Sequence, residues 1–298
     1  MTHPLAAATL VALHLSAGSS GAAWPQDRPD RSNGTRTIYV SVLDNTGGPV
    51  EGLTVEDFTV REDGNVREVL RAGPATEPLT MSILVDDSQA AEQSIQEIRR
   101  GLTAFVEQMQ GRARIAIATF GERPTSIVDY TESTETLKRG VTKIFSRQGA
   151  GSYLLDAIQD VSRGLQKREA ERPVIIAITV EGIEFSNVYH QPVLDELRKS
   201  GATFHALAIG TPSDSQTDEM RERNLVLARG TSDTGGRREQ VLAESALPAK
   251  LKQLGEELLN QYQVTYSRPD TLIPPERVEV RVDRPDLTVR APKIAPGR

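Results

Sequence analysis

Short, continuously apolar runs alternate with segments of helical period through the middle of the sequence, and this alternation limits the folds open to it. "MSILV" (81–85) is followed by Ala91, Ile95, Ile98, Leu102, Phe105, Val106 and Met109 at helical spacing. "RIAIATFG" and "TSIVDY" are two more runs; Leu137, Val141 and Ile144 then mark a second helix, and Leu154, Ile158, Val161 and Leu165 a third. "PVIIAITVEG" and "TFHALAIG" bring the runs to five, with Pro192 opening and Gly201 closing a helix between them. A strand that is apolar at every residue has no face to give to water, so it belongs in a sheet covered on both sides. Alternation with amphipathic helices makes that sheet open and mostly parallel, an α/β, doubly wound, Rossmann-like fold. Ligand sites in such sheets lie at the carboxyl ends of the strands, where Asp86, Asp87, Ser88 and Glu181 fall.

The two ends of the chain keep a different period. "TIYVSVLD" and "FTVREDGNVREVL" near the start, and "YQVTYS" and "RVEVRV" near the end, alternate in the manner of strands, with Asp63-Gly64 as a hairpin signal. Half-apolar strands are not stable alone, so the two ends are expected to pair into one small β module flanking the α/β domain. "AGPATEP" (72–78) reads as a linker. Residues 1–23 lack Asp, Glu, Lys and Arg and carry a short apolar stretch before Gly21, Ala22 and Ala23, the pattern of a cleaved secretory signal. The expected organisation is a signal peptide at 1–23, an N-terminal β segment at 34–76, the α/β domain at 77–260, and a C-terminal β segment at 261–298. The product would be exported, periplasmic or secreted.

The net charge of −6 argues against nucleic acid as a partner, which needs a basic face. No apolar run reaches transmembrane length. The absence of Cys excludes disulfides and thiolate metal sites.

Several motifs resemble one family. "VSVLDNTGGPVEGLTVEDFTVREDG", "MSILVDDSQ", "GSYLLDAI", "VEG" and "LNQYQVTYS" are similar to the von Willebrand factor type A domains. The likeness is greater still to bacterial secreted proteins in which a short β segment precedes such a domain. The resemblance implies a protein-binding module rather than an enzyme. It also implies a metal-ion-dependent adhesion site (MIDAS), with Asp86, Ser88, Ser152 and Glu181 as metal ligands and Asp87, Ala90 and Gly182 as ligand-binding positions beside them. Three positions depart from the family pattern: Ala90 replaces the second serine, Ser152 a threonine, and Glu181 an aspartate. Mg²⁺ prefers six oxygens at about 2.1 Å, so with Ala90 supplying none, Mg²⁺ or Mn²⁺ would bind weakly or not at all. Recognition of a protein partner would then use the loops of the same face.

The same residues have a plainer reading. Asp87 and Ser88 suit the N-cap of the helix that follows, and Ser152 suits the cap of the "YLLDAI" helix. A metal-assisted hydrolase built on Asp86, Glu181 and His190 is the alternative function. Against it, Ser88 lacks a nucleophile elbow, there is no phosphate-binding glycine loop, and His205 sits inside an apolar strand.

Overall fold

Each change of sequence period is matched by a change of backbone type. The computed structural model describes residues 34–212, 217–269 and 273–294; the expected signal peptide lies outside them. The chain begins with β1 (Thr35–Leu43), β2 (Phe58–Glu62), β3 (Asn65–Arg67) and β4 (Val69–Pro74). Asp63 and Gly64 turn β2 into β3 with φ of 48° and 83°, the left-handed pair that a two-residue hairpin needs.

The α/β part follows: β5 (Leu79–Val85), α1 (Ile95–Gln108), β6 (Ala113–Thr119), β7 (Thr125–Thr131), α2 (Thr134–Val141), α3 (Leu154–Arg168), β8 (Pro173–Val180), α4 (His190–Ser200) and β9 (Thr203–Ile209). Next come α5 (Asp218–Leu225), a π-helical turn over Val226–Gly230, α6 (Thr231–Thr234), β10 (Arg238–Val241) and α7 (Leu247–Leu259). The chain ends in β11 (Tyr262–Ser267), β12 (Val278–Val282) and β13 (Thr288–Arg290).

A six-stranded sheet in the order β10-β9-β8-β5-β6-β7 carries the domain, parallel except for β7, which runs antiparallel to β6. Two readings of the sequence change here. "TSIVDY" forms β7, an edge strand with only Val128 buried, and "REQV" forms β10 at the other edge, too polar to stand out as a buried run. Alternate residues of the central strands feed two cores. Met81, Ile83, Val85, Ile176 and Ile178 meet α1, α2 and α7 on one face, and Leu84, Ile175 and Ala177 meet α3, α4 and the π-helical turn on the other. The chain leaves β5 toward β6 and then crosses to β8 on its opposite side, so the topological switch point lies between β5 and β8. This is where a doubly wound sheet opens a crevice.

The terminal strands pair antiparallel across the length of the sequence. β1 joins β11, Ile38 facing Val264, and also β13, while β2 joins β12, Val60 facing Val280. Their apolar faces close a third core around Val40, Phe58, Val60, Tyr262 and Val264. The expected linker is partly strand. Ala72, Gly73 and Pro74 belong to β4 and pair with β11 at the edge of a sheet ordered β13-β1-β11-β4, where a proline's missing N–H costs little. Among the described residues no helix is long and apolar enough to cross a membrane.

Candidate functional site at the strand ends

Asp86, the first residue past β5, is fully buried and ties the switch point together. Its Oδ1 accepts from the Ser88 N–H at 3.0 Å; its Oδ2 accepts from the Val180 N–H at 3.0 Å and the Thr179 hydroxyl at 3.4 Å. Burial pushes its carboxyl above the usual carboxylate range, while the Val180 and Ser88 hydrogen bonds and the Arg223 charge pull it back. Asp87 points to other partners. Its Oδ1 accepts from the Gly121 N–H at 2.6 Å and its Oδ2 from Arg147 Nε at 2.9 Å. A Cβ on Gly121 would lie 2.6 Å from Asp87 Oδ1, so glycine is required for that approach.

The capping reading does not hold for these residues. Helix α1 starts at Ile95, after a separate 3₁₀ turn over Gln89–Ala91, and neither Ser88 nor Ser94 makes a side-chain cap. Charge-assisted bonds to Gly121 and Arg147 outcompete a cap for the Asp87 carboxylate. Ser152 does not cap α3 either, whose N-cap is Tyr153.

Ser152 donates instead to Glu184 Oε2 at 3.2 Å, and its own backbone bonds the loop after β8 at Ile183 and Phe185. Glu184 Oε1 accepts from the Ser186 N–H at 3.2 Å. Burial, acting first, raises the Glu184 carboxyl, with Ser186 and Arg223 opposing it. The acid brought to Ser152 is therefore Glu184, not Glu181. Glu181 still bonds β9 through its N–H to Ile209, which carries its side chain toward the β9–β10 side. There its Oε2 meets Arg223 Nη1 at 3.3 Å and its Oε1 accepts from Gln240 at 3.3 Å. Gly182 lies beside position 90: a Cβ on Gly182 would stand 2.9 Å from that of Ala90.

Arg223, on α5, is the residue that sequence reading missed. It is 1% exposed and donates through Nη2 to Thr179 Oγ1 at 3.2 Å and to the Val180 carbonyl at 3.4 Å. Its only signal in the sequence is spacing: with Met220 and Leu227, both buried, it forms one helical stripe. The hydrolase constellation does not assemble. His190 Nδ1 is bonded to Glu222 at 2.6 Å, and His205 Nδ1 accepts from the Arg237 N–H at 3.3 Å.

The sequence pattern of the von Willebrand factor type A domain matches residues 81–233. The chain belongs to this family. Among solved structures, this type A domain protein is similar to the von Willebrand factor type A protein from Catenulispora acidiphila, at 11% identity and a TM-score of 0.51, over 89% of this chain and 74% of that one. It is also similar to proximal thread matrix protein 1 of the mussel byssus, in a structure described as having a zinc-occupied MIDAS motif, at 14% identity and a TM-score of 0.52, over 66% of this chain and 50% of that one. The chain thus spans about half the length of the mussel protein. At these identities the likeness is one of fold. No curated protein matches the chain in sequence.

The residues of this type A domain do not fit a divalent cation. Asp86 Oδ2 already accepts from two protein donors, and Ala90 offers no oxygen. Glu181 is drawn to Arg223, and a buried guanidinium repels a cation placed among its carboxylates. Among the described residues no three Asp, Glu or His side chains converge as a metal site.

Proposed function

We propose that this chain is an exported, non-enzymatic binding module that holds a protein partner on the loops at the carboxyl ends of its sheet. The observation that carries the reading is apolar exposure on these loops. Phe145, Ile183, Phe185 and Tyr189 are each at least half exposed. Phe185 lies against Tyr153, with ring centroids 6.2 Å apart, and Arg99 stacks on Phe145 at 3.9 Å. Exposed aromatic side chains held over a polar, hydrogen-bonded centre are the composition of a protein-docking patch. In this reading Asp86, Asp87, Ser88, Ser152 and Gly182 shape the face rather than bind a metal, and Ala90 borders it. The tie of His190 to Glu222 leaves Ser88 without a base, which supports a non-catalytic role.

The test is a cross-linking pull-down from envelope extract, comparing the wild type with Ile183→Ser/Phe185→Ser. Loss of one specific protein from the variant's captures supports the docking face. Identical captures would move the partner elsewhere on the molecule. Export is tested separately: N-terminal sequencing of protein from an extracytoplasmic fraction should place cleavage within Gly21 to Trp24, and an intact Met1 there would refute it.

A further inference from the structure

We infer that the Arg223 guanidinium is the resident cation of the strand-end site, replacing the divalent metal with a charge built into the chain. Three acids sit at or beside the switch point, Asp86, Glu181 and Glu184, all buried or nearly so. A fourth, Asp87, already has Arg147 at 2.9 Å. Carboxylates gathered in a low-dielectric site need a counter-charge, and Arg223 is the buried cation that reaches them. It contacts Glu181 at 3.3 Å. It reaches Asp86 through one shared hydroxyl, since Thr179 Oγ1 accepts from Arg223 Nη2 at 3.2 Å and stands 3.4 Å from Asp86 Oδ2. Its charge also favours the ionised forms of Asp86 and Glu184.

Two further features separate this arrangement from an ordinary ion pair. Arg223 Nε is buried and, among the described residues, has no partner, so the guanidinium is held by the site through its other two nitrogens. Helix α5 continues with helical backbone into the π turn at Val226–Gly230, and π turns widen a helix and recur at functional sites. Leu227 and Val226 then anchor that helix in the core beneath α4, which fixes the arginine in place. A fixed guanidinium has no exchange equilibrium and no dependence on external ion concentration. The charge state of the face is thereby set by the sequence itself.

The experiment titrates MgCl₂ and MnCl₂ into the full chain by calorimetry and follows Tm with and without chelator. The wild type should show no binding in the millimolar range and no change in Tm. Arg223→Met should lower Tm, and MnCl₂, but not NaCl of equal ionic strength, should restore it, with binding at least about tenfold tighter than in the wild type. Arg223→Lys keeps the charge and should stay unresponsive. If Arg223→Met does not fold, Arg223→Gln, which removes the charge but keeps an N–H donor for Thr179 and the Val180 carbonyl, takes its place with the same expected response. Micromolar binding by the wild type, or an arginine-free variant whose response to Mn²⁺ equals the wild type's, overturns the inference. No partner enters the measurement, so its failure would leave the docking face untouched.

Discussion

Glu62 in the β module and Glu184 at the strand ends are equally buried, at 2% exposure, yet their surroundings are opposite. Glu62 Oε1 accepts from the Tyr266 hydroxyl at 2.9 Å, and its Oε2 from Arg67 and Arg268 at 3.0 and 3.1 Å. Charge and hydrogen bonding are both closed there. Glu184 is held by two neutral groups, the Ser152 hydroxyl and the Ser186 N–H, and feels Arg223 without an ion-pair contact. Among the described residues, Arg223 Nε is buried without a partner. Glu62 is thus satisfied on both oxygens by charge and hydrogen bonds together, whereas Glu184 has its counter-charge only at a distance.

The largest expected effect tests the closed end of that contrast. Glu62→Ala removes the carboxylate that two arginines share and should cost about 3–5 kcal/mol, read as a fall in the urea midpoint. If it cost no more than a change at Glu184, the contrast would have no energetic counterpart.

His205 shows what partial pairing costs away from the site. It is fully buried, and among the described residues its Nε2 has no partner. Burial first, then Arg237 and Arg290, hold its pKa down to about 4, with Glu257 opposing. Below the unfolded value near 6.5 the unfolded chain takes up a proton that the folded chain refuses. Stability should therefore fall as pH drops from about 6.5 to about 4, by about 3 kcal/mol in all. His205→Leu should flatten that part of the stability–pH curve. A slope that survives the substitution would assign it to another group.

Glu184→Gln should cost about 1 kcal/mol, because the amide keeps the Ser186 bond and sheds a charge that burial disfavours. Urea unfolding beside Glu62→Ala gives the ratio of the two. A ratio near one would erase the difference between the regions.

The central sheet was legible because burial on both faces makes every residue apolar, as in "PVIIAITV". The edges were less so: β7 reads as a strand but is half-wet rather than buried, and β10, with Arg238 and Glu239, gives no apolar run at all. The proline and glycine of β4 spoke for a linker although an edge strand tolerates both. Asp86 and Ser88 follow directly on β5, so the strand end fixes where they lie, whereas Ser152, in the loop before α3, is assigned only through the family resemblance. Glu184 could not be placed, since the choice between it and Glu181 depends on the path of the loop after β8, which has no period to read. Arg223 was hidden for a different reason. A charged residue on a short polar helix reads as solvated, and its spacing from Met220 and Leu227 is the one hint in the sequence that it turns inward.

The smallest expected effect concerns Ala90, where the family pattern has its second serine. Position 90 faces Gly182 closely, at 2.9 Å from a Cβ built there, so Ala90→Ser restores a hydroxyl at the border of the site. If the missing oxygen were what kept a metal out, this one atom would create Mg²⁺ binding. With Arg223 as the resident cation, the hydroxyl adds an oxygen while the repulsion on any incoming ion is unchanged. Ala90→Ser should then shift stability by less than about 0.5 kcal/mol and leave calorimetric titrations with Mg²⁺ and Mn²⁺ flat. Combining it with Glu181→Asp, which shortens the arm that meets Arg223, should still give no binding while the arginine remains. Adding Arg223→Met to Ala90→Ser should produce tighter Mn²⁺ binding than Arg223→Met alone, because the new oxygen then has an ion to hold. Binding by Ala90→Ser in the presence of Arg223 would show that ligand count, and not the buried charge, separates this face from a metal site.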